Sequence, residues 1–176
     1  MFKLAPSMPE KFQMKTRLAR IAALAAIMAG CLAHDGAAQG AGATRKDASA
    51  IRACADKHAQ NINEAERRCI FAIVVEPCTK TRIGQSSQGA SACYHVEQDI
   101  WDELLNENFR TLREGLDDDQ KEKLRQMQRD WIAYRNTTCE FYYHKIQGTM
   151  ATEMTAACLA RETARRALLL KFFQGL

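Results

Sequence analysis

At 176 residues, 47% hydrophobic and 26% charged, the chain has the make-up of one compact domain, which excludes disorder, a collagen-like repeat and a multi-pass membrane protein. The formal net charge of +4 sits mostly at the amino terminus: residues 1–43 hold five Lys or Arg against two Asp or Glu, and a single net positive charge remains on 44–176. The basic patch that phosphate-backbone binding needs is therefore missing, and nucleic acid is not an expected partner.

The first element is an export signal. From Met14 the chain runs through Lys15, Arg17 and Arg20 into an apolar stretch from Ile21 to Leu32. That stretch is far short of the roughly 20 residues a spanning helix needs, and the pattern is that of a secretory signal peptide. Residues 1–13, with Pro6, Pro9 and Glu10, fit no part of such a signal, and translation from Met14 would account for them. Two processing routes are open. Ala41-Gly42-Ala43 is a small-x-small site for ordinary cleavage, whereas Met28-Ala29-Gly30-Cys31 is similar to a bacterial lipobox, with Cys31 the residue to be acylated. Either route takes Cys31 out of the pairing pool. The expected location is the periplasm or cell envelope, with membrane contact only through a lipid on Cys31.

Beyond the Ala/Gly-rich tail at 36–43, the hydrophobic periodicity is helical throughout. It predicts a first helix over 48–60 and a second over 64–75, ending before Pro77 because the residue before a proline avoids helical dihedrals. Residues 84–89 read as a loop. A third helix over 92–115 carries Trp101, Leu104, Leu105, Phe109, Leu112 and, just past it, Leu116 on one face, and Asp117-Asp118-Asp119 caps the next start. A fourth over 119–146 is expected to bury Leu124, Met127, Trp131, Tyr134 and Phe141 or Tyr142. A fifth over 150–173 brings in Met154, Ala157, Leu168 and Leu169. The fold expected is all-α: a small disulfide-stapled bundle of about five helices.

With Cys31 set aside, Cys54, Cys69, Cys78, Cys93, Cys139 and Cys158 remain, and an even count in an exported chain reads as a disulfide framework. Midway between Cys54 and Cys69 lies the polar run 60–63, midway between Cys78 and Cys93 the Gly/Ser/Gln loop, and midway between Cys139 and Cys158 the Gly148-Thr149 pair. Residues equidistant from the apex of a helical hairpin face each other at the roughly 5.5–6 Å Cα separation a disulfide needs. Bonding within one helix fails, since fifteen residues span about 22 Å. The expected pairs are Cys54–Cys69, Cys78–Cys93 and Cys139–Cys158, as structural staples.

Leu105-Asn106-x-x-Phe109, then Gln128-x-x-Trp131-Ile-Ala-Tyr134-Arg135-x-x-x-Cys139, and later Gly148, Cys158, Thr163 and Arg166 form a set that resembles the LprI-like lysozyme-inhibitor domain family over about residues 78–172. Phe109 stands where that family usually has Tyr, so a hydrogen bond from that hydroxyl is missing here. The resemblance implies an exported bacterial helical domain that binds lysozyme or a related cell-wall hydrolase without catalysis of its own. The alternative is an envelope structural or adaptor module with another protein partner. The expected division is signal and tail 1–43, a helical hairpin extension 44–77, and the LprI-like domain 78–176.

Trp131 and Arg135 are i, i+4 neighbours, and 128, 131, 135, 138 and 142 share one stripe, so Arg135 is expected along the helix seam beside an indole. A half-buried guanidinium needs a carboxylate, and Asp102, Glu103 or Glu162 would supply it, with Arg166 in a similar role on the last helix. No catalytic or metal constellation is expected: His34, His58, His95 and His144 are scattered, no histidine pair has ligand spacing, and no cofactor motif occurs. For an inhibitor, the expected contact is the turn holding Lys145, Gln147, Gly148 and Thr149. Cys139–Cys158 would fix its ends, and its side chains offer donors to a hydrolase cleft whose two carboxyl groups differ in protonation.

Overall fold

The computed structural model describes residues 43–176; the expected export signal, Cys31 and all but the last residue of the Ala41-Gly42-Ala43 site lie outside them. Six helices follow in chain order: α1 Arg45–Lys57, α2 Ile62–Cys69, α3 Val75–Thr79, α4 Ser87–Glu114, α5 Asp118–Lys145 and α6 Gly148–Phe173. Five of them are substantial, and no strand occurs among the described residues.

Helices α1, α4 and α5 begin where the sequence supplies a cap, whereas α6 starts at the Gln147-Gly148 reversal without a side-chain cap. Thr44 and Asp47 form a capping box that starts α1 three residues earlier than periodicity indicates, and Asp117 forms another with Gln120 at α5. The third expected helix also begins early, because Ser86 accepts from the Gly89 amide at 3.0 Å and turns 87–91 into the first turn of α4. A side chain on Gly89 would meet the Ile83 carbonyl at 1.8 Å, so glycine there lets the preceding turn press onto the helix.

The core is built on α4 and α6, which run parallel, with α5 returning antiparallel between their ends. Asn108 Nδ2 on α4 donates to the Ala167 carbonyl of α6 at 3.0 Å, and Gln174 Nε2 donates back to the Asn108 carbonyl at 3.1 Å. Ala160, Ala164 and Ala167 on α6 are fully buried and recur at i, i+4 and i+7, so small side chains let the neighbouring helix approach closely. Ile100, Trp101, Leu104 and Leu105 fill the space opposite, with Leu168 and Leu170. Inserting a larger group is costly: Ala164→Leu is expected to lower stability by about 1–3 kcal/mol, against a change within about 0.5 kcal/mol for exposed Ala133→Leu, read from urea-unfolding midpoints.

On one side of this pair α1 and α2 fold back as a hairpin, adding Ile51, Ala55 and Ala65 to the core. Surface ion pairs Asp56–Lys171, Glu66–Arg165 and Arg52–Glu107 mark the register, and pairs so exposed contribute little stability. On the other side α5 lies mainly against α6 and buries only Leu124 and Cys139. Tyr134, expected in the core, is instead 55% exposed, because α5 has one helix to pack on rather than two; of the Phe141 or Tyr142 alternative, Phe141 is 62% exposed and Tyr142 is the half-buried one.

The second expected helix is corrected. Helix α2 stops at Cys69, Ile70 is extended, and Phe71 takes a left-handed φ of 69° before α3 begins at Val75. Pro77 therefore sits inside the first turn of α3, where its missing amide costs nothing, instead of beyond a helix end. The break is made by a tertiary partner. Glu97 of α4 accepts from the Phe71 amide at 2.7 Å and the Val75 amide at 3.1 Å, replacing the intrahelical bonds that a continuous helix would have made.

Candidate functional site

Three disulfides close the framework expected from the spacing: Cys54–Cys69, Cys78–Cys93 and Cys139–Cys158, with Cα separations of 5.7, 5.9 and 5.4 Å. Each joins the two arms of a hairpin. The first closes α1 on α2, the second ties α3 to α4, and the third clamps the last turns of α5 to α6 just before the connecting turn.

That connecting turn is largely exposed. Gln147 and Gly148 both have positive φ, 62° and 71°, so the chain reverses in two residues. Lys145, Gln147, Gly148 and Thr149 are all exposed, and a Cβ added at Gly148 would have nothing within 4 Å. Inside the loop closed by Cys139–Cys158, Phe141, Tyr143 and Met150 are 62%, 46% and 59% exposed. The turn therefore presents donors among uncovered apolar side chains, with Glu140 and Glu153 close in sequence. Next to it, Gln88, Ser91, Ala92 and His95 of α4 and Thr149 and Thr152 of α6 line a surface cleft of about 520 Å³.

Along the α5–α6 seam the structure gathers Gln128, Trp131, Arg135, Thr163 and Arg166. The guanidinium carbons of Arg135 and Arg166 lie 4.9 and 5.6 Å from the Trp131 ring centre. Arg135 Nη1 donates to Thr163 Oγ1 at 3.2 Å, and its Nε and Nη2 donate to Asn136 Oδ1 at 3.2 and 3.1 Å. Arg166 Nε donates to Gln128 Oε1 at 2.8 Å. The carboxylate expected beside Arg135 is not in contact: Asp102 acts on it only through its charge, and Glu162 is paired with Arg165. Neutral acceptors hold it instead. Burial pulls both guanidinium pKa values down, opposed at Arg135 by Asp102. The other residues of the set fall elsewhere, with Leu105 in the core, Tyr134 on the surface, and Asn106 on the exposed side of α4 bonded to Asp102.

One polar residue of structural weight was not singled out in the sequence. Glu97 is fully buried and accepts from Trp101 Nε1 at 3.0 Å as well as from the two amides. Burial pushes its pKa up, opposed by the Trp101 indole N–H and the Phe71, Val75 and Val74 amides. The signal was present: Glu97 falls on the Cys93, Ile100, Trp101, Leu104 stripe, one turn before Trp101, where an acid has no business unless donors meet it.

Among the described residues no group of three or more His, Cys, Asp or Glu could hold a metal ion, and no helix is long and apolar enough to cross a membrane. In comparison with known proteins, the family model described as Lysozyme inhibitor LprI matches residues 78–170. No curated protein and no solved structure is matched by the chain.

Proposed function

The chain belongs to the lysozyme inhibitor LprI family, and from that premise we propose that this member inhibits lysozyme or a related cell-wall hydrolase by docking its α5–α6 turn into the enzyme's cleft. An inhibitor family implies a non-catalytic role, and the three disulfides indicate an extracytoplasmic location. The observation that carries the reading is the exposed, disulfide-fixed turn: Phe141, Tyr143 and Met150 are uncovered around Lys145, Gln147 and Thr149. A turn whose ends are fixed loses little entropy on binding, and aromatic side chains at its rim supply the apolar anchors typical of interface hot spots.

Lysozyme's cleft holds one protonated and one ionised carboxyl group, so Lys145, Gln147 and Thr149 offer donors of the right kind. Long-range attraction adds little, because residues 44–176 carry one net positive charge and the partner is itself basic. In this reading, residues 1–43 direct export and are removed or lipidated at Cys31, 44–77 is an extension packed on the bundle, and 78–176 is the inhibitory domain. The adaptor reading draws on Ile132 and Tyr134, exposed on α5 outside the closed loop, which would widen the contact along the helix.

The test is lysozyme-driven clearing of a cell-wall suspension with and without the protein. Replacing Lys145, Gln147 and Thr149 together with alanine is expected to weaken inhibition at least about tenfold, the effect of losing roughly 1.4 kcal/mol of contact, with helicity and melting temperature unchanged. Undiminished inhibition by the triple variant would remove the turn from the contact. A wild-type protein that never inhibits would leave the adaptor reading.

A further inference from the structure

We propose that Arg135 and Arg166, set against Trp131, form a binding site for a carboxylate group supplied from outside the fold. The contrast with the remaining arginines is the starting point. Arg52, Arg67, Arg68, Arg125, Arg129 and Arg165 are well exposed and each pairs with a glutamate. Arg166 is only 6% exposed and Arg135 is partly buried, yet both are held by neutral oxygens alone. Arg45, Arg82, Arg110, Arg113 and Arg161 also lack an ion pair among the described residues but are exposed to water, so Arg135 and Arg166 are the covered arginines whose ion pair the fold does not provide.

Arg166 carries the clearest mark. Its Nε is satisfied by Gln128, while its Nη2 is buried and donates to no acceptor of the chain. An unsatisfied charged donor of this kind costs more than a neutral one, and here a second guanidinium lies beside the same indole, adding like-charge repulsion. A carboxylate bridging Arg166 Nη2 and Arg135 would satisfy the orphaned donor and offset one of the two charges. The planar fork of a guanidinium matches the two oxygens of a carboxylate.

The route in lies on the Arg135 side. That side chain is the less buried of the two, and its bonds run to a hydroxyl and to the neighbouring Asn136 amide, so it can turn aside without breaking an ion pair. Thr163 Oγ1 meanwhile donates to the Leu159 carbonyl at 2.7 Å, which keeps its lone pairs toward Arg135 and the site oriented. Internal acids do not take the role: Glu162 is engaged by Arg165, and Asp102 is exposed and bonded to Asn106.

Arginine Nε–H resonances of the full, oxidised chain test this, titrated with sodium acetate against sodium chloride at constant ionic strength. The expected result is a saturable shift at Arg166 and Arg135 with acetate alone, little change at the glutamate-paired Arg165, and about tenfold weaker acetate binding in Arg135→Gln. An Arg166 resonance that ignores acetate, responds equally to chloride, or responds undiminished in Arg135→Gln overturns the proposal and leaves a structural cation. The wild-type titration decides the matter even if the variant folds poorly. Lysozyme in place of acetate distinguishes the source: the same shifts, reversed by excess acetate, assign the site to a partner's carboxylate, and an acetate response without a lysozyme response assigns it to a small carboxylate ligand.

Discussion

Glu97→Gln is expected to destabilise the bundle by about 1–3 kcal/mol, and Glu97→Leu by more, of order 3–5 kcal/mol, because Glu97 is the common acceptor for three N–H groups that have no other partner. An amide oxygen can replace Oε1, which serves the Phe71 amide and the Trp101 indole, but the amide nitrogen would then face the Val75 N–H, donor against donor. Leucine strands all three. The left-handed Phe71 makes the loss local as well as global. Its φ of 69° costs about 1–2 kcal/mol. What holds it is the bond to Glu97, edge contact with Tyr94 at 5.1 Å and the Arg161 guanidinium 5.4 Å from its ring centre. Urea unfolding gives the global cost, and faster hydrogen exchange at the Phe71 and Val75 amides shows where it falls. Wild-type stability and exchange in Glu97→Gln would mean the turn is held by its apolar contacts alone.

The same carboxyl group sets a pH dependence whose sign follows from its burial. Its pKa in the folded chain is raised above the ordinary 4.5, so at pH values above the folded pKa the protein carries a buried charge at its full cost. As pH falls from there toward about 4.5, the folded chain takes up a proton that the unfolded chain does not, and stability contributed by this group rises across that window. Below it the contribution is constant. The expected observation is a component of the melting temperature that increases on mild acidification in wild type and is missing in Glu97→Gln.

How much of this was readable in the chain depends on whether the determinant was local. The caps at Asp117 and the periodic stripes of α4, α5 and α6 are local features, and the helices appear within a few residues of where they place them. The cysteine pairing was legible because symmetry about a turn is a property of spacing alone. Helix α2 was overrun because its break depends on an acid 26 residues away in sequence; nothing within the apolar run from Ile70 to Val75 marks it. The expected burial of Tyr134 failed for a related reason, since an amphipathic pattern gives the face of a helix but not how many neighbours that face will have. At the α5–α6 seam the i, i+4 spacing did place Arg135 on Trp131. That its partners would be Thr163 and Asn136, with no carboxylate, is a matter of side-chain reach across helices that spacing does not encode.

Replacing Cys139 and Cys158 together with alanine is expected to lower stability by about 3 kcal/mol and to impair inhibition along with it. The loop between them, with a sequence separation of 19, sets that magnitude through the entropy restored to the unfolded chain. The position of α5 explains why this bond, rather than Cys54–Cys69, governs the turn proposed to dock on the hydrolase. Around Cys54–Cys69 the hairpin is also held by buried Ile51, Ala55 and Ala65, whereas α5 buries Leu124 near its start and, near its end, Cys139 itself. Without the bond, the last turns of α5 retain only the Thr155 hydroxyl bond to the Cys139 carbonyl and partial cover from neighbours. The turn at 145–149 would then have to be ordered on binding, an added cost of about 0.5–1.5 kcal/mol for each side chain immobilised. Hydrogen exchange confined to 139–158, with a cell-wall clearing assay on the same samples, separates the outcomes. Loss of inhibition with protection retained in α4 and α6 ties the function to a rigid turn. Full inhibition from a double variant whose turn exchanges freely would show that rigidity contributes nothing to binding.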